Sequence, residues 1–155
     1  MNKIVLITGA TSGIGKACAV KFASAGYDII ITGRRNERLI ELKTNLEKEY
    51  KVSVLSLCFD VQDKAAVEAA FKNLPEQWKK IDLLINNAGL AWGRDRFEDA
   101  DMNDWETMLN TNVHGLLYVS RAVLPFMLEQ KKGHIINMGS VAGKKKKKKG
   151  NVYCA

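Results

Sequence analysis

Lys3-Ile4-Val5-Leu6-Ile7-Thr8-Gly9-Ala10-Thr11-Ser12-Gly13-Ile14-Gly15 is the stretch that decides the fold. Lys3–Thr8 is a short apolar run of strand length, expected of a strand buried on both faces. Gly9–Gly13 reads as a turn. Ile14–Ala25 has helical spacing and stops at Gly26. The same unit recurs along the chain. Tyr27–Thr32 is a second strand, and Asn36 can cap a helix over Glu37–Tyr50 with Leu39, Leu42 and Leu46 on one face. Val52–Phe59 is a third strand; Asp63 caps Lys64–Asn73, and Pro75 breaks that helix. Ile81–Asn86 is a fourth strand. After a polar loop comes one long helix from about Asn103 to Gln130, expected to bend near Pro125. His134–Gly139 is a fifth strand, and Gly150–Ala155 looks like the first turn of another helix. Short βα units in strict alternation imply a parallel sheet with helices on both faces. The expectation is an α/β, Rossmann-type doubly wound parallel sheet, truncated after the fifth strand. No composition shift divides residues 1–155 and no repeat occurs in them. They are expected to be the N-terminal part of a longer single-domain subunit.

The 155 residues carry 24 Lys and Arg against 17 Asp and Glu, a formal charge of +7. Most of the surplus is one unbroken run, Lys144 to Lys149; without it the counts are 18 and 17. Global charge therefore says little about partners. Apolar residues make up 46% of the chain, enough for a core and against wholesale disorder. Cys18, Cys58 and Cys154 are too few and too widely spaced for a disulfide framework or a metal cluster. They read as buried, reduced thiols of a cytoplasmic protein. No signal-peptide pattern follows the N-terminus. Val113–Leu128 is apolar but holds His114, Arg121 and Pro125, and falls short of the roughly 20 residues of a membrane span.

The glycines after the first strand have a chemical reading. A backbone that turns sharply there can approach a pyrophosphate without a Cβ in the way. The helix that follows offers free N–H groups and its positive dipole end to the phosphates. The competing reading is a purely structural turn. The end of the second strand speaks to which dinucleotide would bind. An NAD site wants an acidic residue there, to hold the ribose 2′-hydroxyl. Asp28 has roughly the right distance from Gly9 but stands at the start of that strand, at the wrong sheet edge. The strand ends instead in Thr32-Gly33-Arg34-Arg35. Two guanidiniums suit a 2′-phosphate, which favours NADP(H) over NAD(H); the alternative is two exposed arginines at a helix entrance.

Taken together, these motifs resemble those of the short-chain dehydrogenase/reductase family, in the family's order and over essentially the whole chain. Thr8-Gly9-x3-Gly13-Ile14-Gly15 resembles its cofactor turn, which implies cofactor contacts from Gly9, Thr11, Ser12, Gly13, Ile14 and Gly15, joined by Arg34 and Arg35. Asp60-Val61 resembles the pair that contacts the adenine ring. Asn86-Asn87-Ala88-Gly89 resembles the motif that shapes the cofactor cleft, through Asn87, Ala88 and Gly89. Asn112 in Asn110-Thr111-Asn112-Val113 matches the family's catalytic asparagine. Ser140, with Tyr153 thirteen residues on, matches its catalytic serine and tyrosine. Leu90-Ala91-x-Gly93, Asp104–Met108, Arg121–Pro125 and Gly150–Tyr153 resemble the branch that oxidises 3-hydroxy acids, such as serine or allo-threonine.

The resemblance implies hydride transfer between nicotinamide and the carbonyl or hydroxyl of a small substrate. Tyr153 would be the general acid/base, Ser140 would hydrogen-bond the substrate oxygen, and Asn112 would interrupt its helix locally. A tyrosine with its ordinary pKa near ~10 needs a neighbouring cation for this work. In the family that cation is a lysine four residues after the tyrosine, two positions past Ala155. The 155 residues alone are therefore expected to be nearly inactive, and the full-length parent to be an active homo-oligomer, tetramer or dimer. No nucleic-acid, membrane or metal partner is expected. Two other readings stay open: a dinucleotide-binding module without catalysis, and a polybasic nucleic-acid binder built on Lys144–Lys149. The run itself reads as a register-keeping substitution or sequence-record artefact, as a solvated loop, or as a polyanion patch. Arg94 and Arg96 read as surface arginines, His114 and His134 as structural, and the Cys154 thiol as packing.

Overall fold

A computed structural model describes residues 2–93, 95–145 and 150–155. The expectations for Arg94 and for Lys146–Lys149 fall outside these residues. Five strands form one parallel sheet: β1 (Ile4–Ile7), β2 (Asp28–Gly33), β3 (Val54–Cys58), β4 (Ile81–Asn86) and β5 (His134–Asn137), in the order β3-β2-β1-β4-β5. Helices α1 (Gly13–Ser24) and α2 (Asn36–Tyr50) cover one face. On the other lie α3 (Lys64–Lys72) and α5 (Leu116–Glu129), the latter preceded by α4 (Met102–Leu109).

The period-2 alternation of a strand explains the double winding. In β1, Ile4 and Leu6 join Val67, Phe71, Val119 and Val123 on the α3/α5 face. Val5 and Ile7 join Ala19, Leu39, Leu42 and Leu46 on the α1/α2 face. The central strands β1 and β2 are buried on both faces, as their apolar runs predict. β5 is not: its outer residues are exposed, because among the described residues it is an edge strand with no neighbour on its far side. The third strand is shorter than Val52–Phe59, and it too lies at an edge.

Four expectations need correction. The long helix is not one element bent near Pro125. It is interrupted earlier, by a π-helical turn over Asn110–Gly115, and α5 runs on through Pro125. Pro125 and Arg121, whose carbonyl loses its partner, are both exposed, so water can take that carbonyl. Asn36 lies inside the first turn of α2; Arg35 holds the N-cap position and makes no side-chain cap. Asn151–Cys154 is a 3-10 turn rather than the start of an α-helix. None of the three cysteines is buried, and Cys58 is exposed, because it ends an edge strand. Asp63 caps α3 as expected, its Oδ1 accepting from the Ala66 N–H at 3.0 Å.

Carboxylates close the N-terminal edge of the sheet. Asp82 sits where the β1–β4 register shifts; it accepts from the Ile4 N–H at 2.9 Å and pairs with Lys132 Nζ at 2.7 Å. Burial pushes its carboxyl up. The hydrogen bonds from Lys132 and Ile4, with the charges of Lys132 and Lys3, outweigh this and hold it below the usual carboxylate range. Asp28 accepts from the Ser53 N–H at 2.8 Å, which places it at the edge away from the glycine turn, as its sequence position predicts.

Candidate active site

β1 lies between β2 and β4, so the chain winds outward in opposite directions from it. The crevice at the C-terminal ends of β1 and β4 is the topological switch point, where open α/β sheets bind ligands. Thr8 builds its floor. Its side chain is 2% exposed, and its Oγ1 accepts from the Asn87 N–H at 3.0 Å and the Ala88 N–H at 2.9 Å. Asn87 answers with its amide, donating to the carbonyls of Thr8 at 2.8 Å and Gly9 at 3.2 Å. Four hydrogen bonds thus lock the glycine turn to Asn87-Ala88-Gly89.

Gly9 is required in that lock. Its φ is +65°, and a Cβ there would stand 2.9 Å from the Ala88 Cα. Gly13 has φ +54° but open space around it, so its constraint is conformational and its surface is free. α1 starts at this point with no side-chain cap on its first turn. Its first N–H groups therefore face the crevice without an intrahelical partner, as a phosphate-binding helix start requires.

At the end of β2, Arg35 Nη2 donates to Thr11 Oγ1 at 2.6 Å and to Ser12 Oγ at 3.0 Å. Arg34 pairs instead with Asp60, Nη1 to Oδ2 at 3.4 Å, while Asp60 Oδ1 accepts from the Gln62 N–H at 3.0 Å. Val61 packs against Gly115, where a Cβ would come within 2.7 Å of Val61 Cγ2. The end of β3 is thereby tied to the π-helical turn.

Asn112 explains that turn. Its Oδ1 accepts from the Leu90 N–H at 2.9 Å and its Nδ2 donates to the Leu90 carbonyl at 2.8 Å. The side chain pairs with the Leu90 backbone as a strand would, and the helix widens locally to let it do so. The interruption implied at Asn112 is present. Ser140 follows β5 and accepts from the Ala142 N–H at 3.1 Å, which leaves its hydroxyl proton free to donate. Tyr153 stands on the turn Asn151–Cys154, which packs against the turn Val141–Gly143 and against α4. The turns of Ser140 and Tyr153 are thus brought together at this end of the sheet. No hydrogen bond links Asn112, Ser140 and Tyr153 to one another among the described residues.

Motif reading passed over several contributors. Thr8 lies inside the quoted motif, yet its hydroxyl carries the strand-to-strand lock. Asn86, Ser120 and Asn137 form a second one: Asn86 Nδ2 donates to Ser120 Oγ and to Asn137 Oδ1, both at 2.9 Å. Polar residues closing apolar strands were the available signal. His114 bonds Asn110 and stacks on Tyr118, and Arg96 pairs with Glu98 at the surface, as expected of structural and surface groups.

A parallel sheet with a glycine-turned crevice, an uncapped helix start and an anion-suited rim defines a Rossmann-type dinucleotide fold. The short chain dehydrogenase profile matches residues 3–155, and the chain belongs to that family. It is 50% identical over 152 residues to an NADP-dependent 3-hydroxy acid dehydrogenase, YdfG, of Salmonella typhi, covering 98% of this chain and 60% of that protein. It is 49% identical over 144 residues to sulfoacetaldehyde reductase 2 of Chromohalobacter salexigens, covering 92% of this chain and 56% of that one. The solved closed form of a serine dehydrogenase complexed with NADP+ superposes with a TM-score of 0.89 at 48% identity, over 97% of this chain and 59% of that chain. The chain spans about three-fifths of the length of the curated relatives it matches. No helix among the described residues is long and apolar enough to cross a membrane.

Proposed function

We propose that the chain is the cofactor-binding part of an NADP(H)-dependent oxidoreductase acting on a small carbonyl or hydroxyl compound, of the 3-hydroxy acid class. The carrying observation is the end of β2. At Gly33, where an NAD site would hold its acid, a Cβ would lie 2.7 Å from Thr11 Cγ2. Arg34 and Arg35 follow it, and Arg35 reaches the glycine turn. The dinucleotide fits this crevice: the Gly9 turn, the open Gly13 surface and the uncapped start of α1 would take the pyrophosphate. Asp60 and Val61 would meet the adenine, and Asn87, Ala88 and Gly89 would line the wall. The names of the relatives support the same cofactor, and the first of them supports the substrate class.

When bound, the nicotinamide supplies or accepts the hydride. The chain's own residues handle the proton and the charge. Tyr153 donates a proton to the substrate oxygen as negative charge builds there, and takes it back in the oxidative direction. The free Ser140 hydroxyl proton stabilises the same oxygen. Asn112 holds the Leu90 backbone and so fixes the wall beside Gly89. The 155 residues are proposed to be the N-terminal part of a subunit that completes this set with a lysine and assembles as a homo-oligomer. The exposed apolar side chains of Leu117, Leu124 and Leu128 along α5 support assembly with a second copy.

A fluorescence titration with NADPH and NADH tests the cofactor reading. Clear preference for NADPH is expected, and comparable affinities overturn it. NADPH-dependent carbonyl reduction by the complete subunit, lost in Tyr153→Phe, tests the chemistry. Substantial turnover by the 155-residue chain alone would overturn its proposed incompleteness.

A further inference from the structure

We propose that Asn151 is a positioning residue for the general acid/base: it fastens the turn that carries Tyr153 to the loop beyond the cofactor wall, through the Asp95 carbonyl. The inference rests on the role given to Tyr153 above and adds the contact that holds it in place.

Tyr153 stands on the 3-10 turn Asn151–Cys154. Inside that turn the Cys154 N–H donates to the Gly150 carbonyl at 3.2 Å, and the Ala155 N–H to the Val152 carbonyl at 3.1 Å. These bonds shape the turn without fixing where it sits. It packs against α4 and against the turn Val141–Gly143, but packing is not directional. Among the described residues, one hydrogen bond joins this turn to a distant part of the chain. Asn151 Nδ2 donates to the Asp95 carbonyl at 2.9 Å. It is the directional constraint, two residues before the phenol.

The acceptor is itself held. Asp95 lies on the loop that continues from Leu90, whose backbone Asn112 grips at 2.9 and 2.8 Å. Before Asp95, Gly93 has φ +67° and lies over α4; a Cβ there would stand 2.6 Å from Asp104 Oδ2. After it, the Phe97 ring packs on Trp105 of α4, with centroids 4.7 Å apart. α4 thus carries both the loop and the Tyr153 turn, and the Asn151 bond closes the triangle. The position of the wall at Gly89 is carried along the loop to Tyr153.

The residue type is dictated twice. Asn151 has φ +39°, a left-handed backbone that Gly, Asn and Asp enter most readily. The Asp95 carbonyl requires a donor. Glycine and aspartate meet the first demand and fail the second, whereas asparagine meets both.

The test is kinetic and uses the complete subunit, unaltered and as Asn151→Gly, Asn151→Asp and Tyr153→Phe. Serine oxidation by NADP+ is followed as NADPH formation, and NADPH affinity is taken from the fluorescence titration. Both Asn151 variants keep the left-handed backbone and lose the bond. A displaced acid/base group reacts more slowly, so kcat is expected to fall about 10-fold in each. NADPH affinity should stay within about 2-fold, which shows that the fold and the cofactor crevice are intact. The solvent deuterium isotope effect on kcat should rise, because proton transfer through Tyr153 becomes the slower step. A smaller folded fraction lowers the rate and leaves that isotope effect unchanged. Full kcat in Asn151→Gly overturns the proposal, since the side chain then serves the backbone conformation alone. A fall in kcat with an unchanged isotope effect, or with an equal loss of NADPH affinity, overturns it too. Failure of the unaltered subunit to oxidise serine, or full activity in Tyr153→Phe, overturns the underlying reading of the site, and this inference with it.

Discussion

Thr8→Val tests whether the crevice is held together by one oxygen atom. The substitution keeps the branched shape of a side chain that is 2% exposed and removes only its hydroxyl. That hydroxyl accepts two N–H groups, from Asn87 at 3.0 Å and from Ala88 at 2.9 Å. A buried donor left without a partner costs about 1–3 kcal/mol. The Asn87 N–H also donates to the Ile85 carbonyl at 3.0 Å, so the Ala88 N–H is the one that loses its acceptor. It is only partly buried, so the lower half of that range applies, and the expected loss is about 1.5 kcal/mol. Against a total stability of ~5–15 kcal/mol the protein stays folded but is clearly weakened. At this chain length each kcal/mol moves Tm by ~2–4 °C, so Tm should fall by roughly 3–6 °C. Thermal unfolding followed by circular dichroism, with urea unfolding at constant slope, reads the loss. Thr8→Ser keeps the oxygen and should recover most of it. A loss under about 0.5 kcal/mol in Thr8→Val would refute the reasoning, because the Ala88 N–H would then have another partner such as water.

Three further outcomes follow from the geometry. Asn112→Ala removes both bonds to the Leu90 backbone, and hydrogen exchange at the Leu90 amide should accelerate at least ~10-fold, whereas Asn112→Asp, which keeps the acceptor, should protect it. Asp82 has its carboxyl held below its ordinary range, so its contribution to stability is full above about pH 4 and disappears as pH falls through the lowered value. Asp82→Asn should therefore lower stability at neutral pH and flatten its decline in acid; an unchanged acid limb in urea titrations would show that Asp82 plays no part. Gly33→Asp places a carboxylate beside Arg35 and pushes Thr11 from the strand end. It should weaken NADPH by at least ~10-fold relative to NADH in the same fluorescence titration, and an unchanged ratio would count against the role given to this strand end.

The parts of the molecule legible in the sequence are those set by near neighbours. The alternation of strand and helix follows from periodicity. The Asp63 cap follows from a carboxylate three residues before the N–H it binds. Asp28 falls at the far edge because a strand has a direction. What could not be read depends on partners distant in the chain. The π-helical turn exists because Asn112 finds Leu90, twenty-two residues away. Nothing local distinguishes it from an ordinary helix, whereas Pro125 is a local signal that exposed backbone defuses. Arg35 and Arg34 look identical in sequence; they differ because one finds the Thr11 and Ser12 hydroxyls and the other finds Asp60. Cys58 looks like a core thiol until the strand order puts it on an edge.

The two edges of the sheet are stitched by different groups. At the N-terminal edge carboxylates meet strand N–H groups: Asp82 on Ile4, Asp28 on Ser53 and Glu47 on Val54. These donors are satisfied within the chain, so this edge has little left for an anion. At the C-terminal edge neutral groups perform the stitching, through Thr8, Asn86, Asn87 and Asn112. The arginines there lie at the rim, Arg35 over the glycine turn and Arg34 against Asp60. Parallel strands make this polarity possible, since every strand presents the same end to the same edge. The stitching residues are also why binding and stability are coupled at this site: Thr8 and Asn112 hold the walls, so changing them disturbs both. Arg34 and Arg35 are exposed and lie outside the lock, so binding can be altered there while the fold is left alone.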